Sequence, residues 1–240
     1  MKNKFSKLLI LGMVITGLAI LSQDTFAQKT DKKYRKELKN AKVRVDSATE
    51  VMNEVMAADD NAIPKDILKK AEAVLVFPGT LKGAFVFGGR TGRGVAVRRI
   101  GQTWSAPAFF NIGGGSFGLQ IGGQKIDYIL VVMSEEGLEG LLQDKFEIGG
   151  EASVAAGPVG RTAAASTNFT LDAGILSYSR TQGLFAGVSL KGAVIKQDKS
   201  INNALYNRSA KEILLDSNMI WSTAPAVLQI FQKTVASLSK

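Results

Sequence analysis

The chain has 240 residues, 45% of them hydrophobic, with 25 glycines, 5 prolines, a formal net charge of +9, and neither cysteine nor histidine. Those two absences exclude Ser-His-Asp and Cys-His nucleophiles, zinc sites of the usual His/Cys kind, and any disulfide. A Ser-Lys nucleophile or a two-carboxylate hydrolase stays formally open. No constellation favours either, so neither an enzymatic role nor a cofactor is expected.

Lys2, Lys4 and Lys7 precede an uncharged apolar run, Leu8 to Leu21, and Thr25-Phe26-Ala27 ends on a small residue before Gln28. A positive start, a short apolar middle and a small residue at a cleavage point are the parts of a secretory signal. The apolar run is shorter than the ~20 residues a spanning helix needs, and an uncleaved anchor is the competing reading. With no cysteine to carry a lipid, the expected location is a bacterial periplasm or the exterior, with peripheral membrane association open. Residues 1–27 are set aside from the fold. The remainder is long enough for one substantial core.

Residues 28–44 hold Lys29, Lys32, Lys33, Arg35, Lys36, Lys39, Lys42 and Arg44 against only Asp31 and Glu37. That segment carries nearly all of the net charge, and the chain from Val45 onward is close to neutral. A basic surface spread over the domain, as duplex nucleic acid demands, is missing, so no nucleic-acid partner is expected. Leu38, Ala41, Val45, Ala48, Met52 and Val55 recur at spacings of three and four, which predicts an amphipathic helix within residues 28–60. Lys32, Arg35, Lys36, Lys39 and Lys42 fall on the opposite face, followed by Asp46, Glu50 and Glu54. Cations at the N-terminal end and carboxylates toward the C-terminal end oppose the helix dipole. Two readings stand side by side. Either this is the solvated face of a docked helix, or it is a basic arm for phosphate headgroups, where each Lys or Arg contributes ~1 kcal/mol at an anionic membrane. The apolar stripe docks on the domain or enters the membrane interface; its Met and Ala content favours docking.

After a polar break, Pro64 marks the first turn of a short helix that leads into an apolar strand, Ala73 to Phe77. From there to about Lys196 the period is two, with turn signals every eight to twelve residues, interrupted by one short helix in "SEEGLEGLLQDK". This predicts an α+β fold: a glycine-rich antiparallel sheet or a closed barrel, flanked by N-terminal and C-terminal helices. "RTGRG", Arg90 to Gly94, reads as the hairpin joining the first two strands. Arg90 and Arg93 on this glycine-rich turn, with Arg98 and Arg99 on the next strand, could hold an anion or could simply be solvated.

The stretch Gly113 to Gly118 is a literal G-x-G-x-x-G, but Phe117, Leu119 and Ile121 alternate after it and no helix opens there. It therefore reads as a strand with one bare face and not as a dinucleotide loop. The Ala/Gly/Ser run "GGEASVAAGPVGRTAAAS" permits close backbone approach, either for tight packing in a small barrel or for a lipid-tail groove. Helices are predicted over "INNALYN", over "SAKEILLD" with a Ser209/Glu212 capping box, and from Pro225 onward.

"AVLVFPGTLKGAFVFGGRTGRGVAVRR", "WSAPAFFNIGGGSFGLQIGGQKIDYILVVM", "ASVAAGPVGR", "ILSYSRTQGLFAGVSLKGAVI" and "NNALYN" together closely resemble the SYLF domain from about Ile63 to Asn207. The resemblance implies a domain that binds anionic phospholipids such as phosphatidic acid, with the preceding basic helix taking part. It places Lys29, Lys32, Lys33, Arg35, Lys36, Lys39, Lys42, Arg44, Arg90 and Arg93 as the lipid-binding candidates. Eukaryotic members carry an SH3 domain and bind actin; these 240 residues hold no such segment, and actin is not carried over. Where the family has Tyr-Gly this chain has Tyr206-Asn207, so Asn207 is expected in a left-handed conformation. The expected organisation is a leader at 1–27, a basic helix at 28–60 and a SYLF-like domain at 61–240. The expected partner is an anionic phospholipid membrane, and the alternative is an acidic envelope protein met by a permanently docked helix.

Overall fold

The structure, a computed structural model, describes residues 30–58, 62–84, 88–116, 122–149, 154–160 and 173–240. Residues 1–29, which include the expected leader and Lys29, and Phe117 to Ile121 lie outside these, as does most of the Ala/Gly/Ser run. Helix α1 occupies residues 30–56, within the predicted segment, and α2 is Lys65–Lys70 with Pro64 as its N-cap residue. The strands are β1 Ala73–Ala84, β2 Gly88–Ile100, β3 Thr103–Trp104, β4 Ala108–Ser116, β5 Gly122–Val132, β6 Phe146–Glu147, β7 Val154–Ala156, β8 Ile175–Thr181, β9 Leu184–Gly187 and β10 Val194–Gln197. Helix α3, Glu135–Leu141, follows β5; α4 Lys199–Tyr206, α5 Ala210–Leu215 and α6 Ile230–Leu238 follow β10.

The ten strands among the described residues join one curled sheet ordered β6-β10-β4-β2-β1-β5-β8-β7, with β3 attached to β2 and β9 to β8. Among the described residues the sheet is open, a half-barrel. Its ends are the short β6 and β7, a length that limits the unpaired edge. Among the described strands, β7 departs from the antiparallel expectation by running parallel to β8.

Both faces of the sheet are covered, which the period-two reading did not anticipate. Val74, Val76, Val95, Val97, Phe109, Ile129 and Val131 pack with α1, α2 and α6 on one face. Their sequence neighbours Ala73, Leu75, Phe77, Ala96, Ala108, Phe110, Leu130 and Val132 pack with α3 and α5 on the other. Strands buried on both sides read as continuous apolar runs, as "AVLVF" and "YILVV" do. The stripe of α1 is consumed in this core: Ala41, Val45, Ala48 and Met52 have no exposed surface and Val55 has 1%. Docking wins over insertion.

The glycines of "GGRTGRG" do not make a turn. Strand β2 runs straight through them, with Leu81 opposite Thr91, Lys82 opposite Arg90 and Ala84 opposite Gly88. Two of them, Gly92 and Gly94, are required by a bulge in β1, where the register shifts between Val76 and Leu81 and Gly79 takes a φ of +55°. A Cβ on Gly94 would stand 2.4 Å from Phe77 Cδ1, and one on Gly92 2.2 Å from Thr80 Oγ1. Close approach to the bulge is the purpose of these two. Gly113 to Gly115 lie within β4, as a strand and not a phosphate loop.

The C-terminal helices follow their local signals. Ser209 Oγ accepts from Glu212 N–H while the Glu212 carboxylate accepts from Ser209 N–H, a complete capping box. These bonds hold the Glu212 carboxyl below its ordinary range. Asn207 ends α4 at φ 51° and ψ 38°, the left-handed cap expected of it. The last segment begins with a 3-10 turn, Ala226–Leu228, before α6.

Candidate functional site

The basic helix and the sheet beneath it make the candidate site. Lys32, Lys33, Arg35, Lys36, Lys39 and Lys42 are all exposed on α1. Arg35 is bridged to Asp31 at 3.0 Å and Lys42 pairs with Asp46, each one turn away on the same helix. Among the described residues, Lys32, Lys33, Lys36 and Lys39 have no ion-pair partner. Four ammonium groups within about two turns of helix therefore face water uncompensated.

Arg44 does not belong to this set. Its side chain is buried, with Nη2 2.7 Å from Asp198 Oδ2 and the guanidinium 6.0 Å from the Phe109 ring centroid. Burial lowers its pKa and Asp198 opposes that shift. The sequence could not separate it from its neighbours, because its partner lies 154 residues away at the start of α4. The pair ties α1 to the β10–α4 junction. At the other end of the helix, Arg180 of β8 bridges Glu54 of α1 and Asp127 of β5, at 2.9 Å from Asp127. Asp127 in turn accepts from Gly79 N–H in the β1 bulge at 2.7 Å. The carboxylates that oppose the helix dipole thus serve partly as anchors.

The buried pair makes a sharp prediction. Asp198→Asn keeps an acceptor for the Ile201 N–H that Asp198 caps but leaves the Arg44 charge buried without a counter-ion. The expected loss is ~3–5 kcal/mol in urea unfolding. A loss below ~1 kcal/mol would put the pair with ordinary surface ion pairs.

Arg90 and Arg93 do not share a site. They are three residues apart on a regular strand, and β2 pairs residue for residue with β4 from Gly88 to Ala96, so their side chains leave opposite faces. Arg93 stands on the α1 face in a cross-strand row with Asn111 and Lys196. Its charge acts on Arg44. Arg90 stands on the far side. Nor are Arg98 and Arg99 free. Arg99 donates to the carbonyls of Ala71 and Leu68 at 3.0 Å each, closing the C-terminal end of α2, and lies 4.5 Å over the Trp104 ring. Arg98 is 3.7 Å from Glu135. Lys196 was not singled out from sequence; only the β4–β10 register brings it to Arg93. Among the described residues no cluster of acidic side chains could hold a metal ion, and no helix is long and apolar enough to cross a membrane.

The family described as "Ysc84: Las17-binding protein actin regulator" matches residues 113–236, more than half of the chain. The chain belongs to the Ysc84 family. This is the SYLF resemblance read from the motifs. Protein YSC84 of Saccharomyces cerevisiae is 32% identical over 194 residues, 78% of this chain and 41% of that protein. The SH3 domain-containing protein PJ696.02 of Schizosaccharomyces pombe is 33% identical over 184 residues, 74% of this chain and 43% of its own length. The human SH3 domain-containing YSC84-like protein 1 is 30% identical over 149 residues, 61% and 43% respectively. The chain thus spans about two fifths of the length of the curated relatives it matches. The match of the Ysc84 family begins in β4, so α1 and the bulged β1–β2 pair precede the matched segment.

Proposed function

We propose that this Ysc84 domain is a non-enzymatic module that binds anionic phospholipid surfaces by laying the exposed basic face of α1 on phosphate headgroups. The observation that supports it is the set of Lys32, Lys33, Lys36 and Lys39, exposed and unpaired among the described residues, on a helix whose apolar face is spent in the core. With no apolar stripe left over, the chemistry this helix offers to a surface is positive charge. At ~1 kcal/mol per lysine near an acidic leaflet, the four together contribute ~4 kcal/mol. Arg35 and Lys42 add less, because each already has a carboxylate partner on its own helix. Residues 1–27 are proposed to direct the chain to a bacterial envelope. N-terminal sequencing of exported protein tests that: Gln28 as first residue supports it, and an intact Met1 overturns it.

Flotation with vesicles of rising anionic content tests the lipid reading. Bound fraction is expected to climb with acidic lipid and to fall as salt shortens the screening length to ~8 Å and below. Binding indifferent to both lipid charge and salt would reject it. The description of the family as Las17-binding and the LAS seventeen-binding relatives favour a second reading, in which the same lysines meet an acidic protein. A pull-down that survives complete lipid removal while flotation fails selects that reading.

A further inference from the structure

The far side of the sheet carries a second group of cations, away from α1. Lys82 and Arg90 are direct cross-strand partners on β1 and β2, and the same row continues to Gln124 on β5 and Gly114 on β4. Directly opposed side chains share a face with Cβ atoms ~4.5–5.5 Å apart, and like charges so placed repel. The face is fixed by its neighbours. One row toward the core are Ile112, Gly92, Thr80 and Ile126, of which Ile112 and Ile126 belong to the core cluster opposite α1. Tyr128, four residues along β5 from Gln124, lies on this face too and feels the charge of Arg90.

Nothing in these strands answers the two charges. β1, β2 and β4 contain no Asp or Glu, and Asp127 of β5 is turned to the α1 face, where it holds Arg180. Arg90 Nε is buried with no hydrogen-bond partner. Among the described residues, the Lys82 ammonium, the Gln124 amide and the Tyr128 hydroxyl are likewise without one. A buried unpaired donor is costly, and more so when charged. Lys82, Arg90 and Gln124 stand side by side in one cross-strand row, two of them cationic, with Tyr128 two rows further along the same face. Of these donors Arg90 Nε is the buried one, and among the described residues none has an acceptor. A tetrahedral oxyanion supplies several acceptor oxygens and the negative charge at once.

We propose that Lys82, Arg90, Gln124 and Tyr128 form a binding site for a phosphate group on the sheet face opposite α1. The phosphate belongs either to a lipid headgroup or to a small soluble phosphate compound. The site stands whether or not α1 binds membranes, since it shares no residue with that helix.

Calorimetric titration of the full chain with inorganic phosphate, at ionic strength matched with chloride, tests it. Saturable binding is expected, weakened about tenfold or more in Arg90→Gln and in Lys82→Gln, the effect of losing one charge-assisted contact. Arg93→Gln, on the other face, is expected to bind like the parent. Phosphate should raise the melting temperature of the parent but not of the double variant Lys82→Gln/Arg90→Gln. Lys82→Gln alone should melt no lower than the parent in chloride, because it relieves a repulsion. No binding by the parent, or equal binding by Arg90→Gln, overturns the site. Glycerol phosphate and vesicles containing phosphatidic acid separate the sources. If the double variant floats as the parent does, the ligand is soluble; if flotation drops as well, it is a headgroup. A variant with Lys32, Lys33, Lys36 and Lys39 changed to Gln keeps phosphate binding in either case, so failure of the α1 reading and failure of this one are told apart.

Discussion

A chain lacking residues 30–58 will fail to fold. Val45, Val51, Met52 and Val55 are each at most 3% exposed, and with Ala41 and Ala48 they lie in one core cluster with Val74, Val76, Val95, Phe109 and Ile129 of the central strands. Burying a Val- or Met-sized side chain contributes ~1.5–3 kcal/mol. The four larger residues therefore account for roughly 6–12 kcal/mol, against a total stability of ~5–15 kcal/mol for a typical domain. Removing α1 also strands Asp198 without Arg44 and bares one face of a sheet built for two-sided burial. Circular dichroism should show no cooperative melt. A sharp transition in the deletion would mean that α1 is an appendage. A graded version avoids collapse: Met52→Ala is expected to cost ~2–5 kcal/mol in denaturant unfolding. The practical consequence is that truncation cannot test the proposed lipid binding by α1 apart from folding. Point changes on its exposed face can.

The features legible in the sequence were those whose cause is local. The α1 stripe follows from helical period alone, and its docking follows from weak inserters such as Ala41, Ala48 and Met52. The capping box at Ser209 and Glu212 spans three residues, and the left-handed Asn207 needs only its own place at a helix end. What failed depends on distant partners. Glycines that make a turn and glycines that admit a bulge look alike in one dimension, so β2 was split at Arg90 to Gly94 although Gly94 is there for Phe77. Once Ala84 pairs with Gly88, Lys82 must face Arg90, and Arg90 and Arg93 must part. Arg44 looked like one more cation of the arm because Asp198 lies across the whole sheet in sequence. The parallel β7 carried little signal, since Val154, Ala155 and Ala156 have almost no pattern to read. Two-sided burial was hidden for the opposite reason: runs apolar on both parities show no alternation at all.

Changing Lys32, Lys33, Lys36 and Lys39 together to Gln will cut the affinity for acidic vesicles by up to ~1,000-fold at low salt, the equivalent of ~1 kcal/mol per lysine. The effect shrinks as salt rises, since exposed charges are screened over ~10 Å at 0.1 M, and the two titrations should converge. Folding is expected to be untouched, because all four side chains are exposed and unpaired among the described residues, and Gln is nearly as good a helix former as Lys. Unfolding midpoints of parent and variant should agree. The contrasting variant is Arg35→Gln with Lys42→Gln. These side chains sit on the same helix but each pairs with a carboxylate one turn away, so their loss releases Asp31 and Asp46 to oppose binding as well. If charge adsorption is the mechanism, this pair also weakens binding, and its effect disappears with salt in the same way. If instead the lysines recognise one shaped partner, the quadruple variant fails at every salt concentration while the pair behaves as the parent. Equal flotation of the quadruple variant and the parent at low salt removes α1 from the interface altogether.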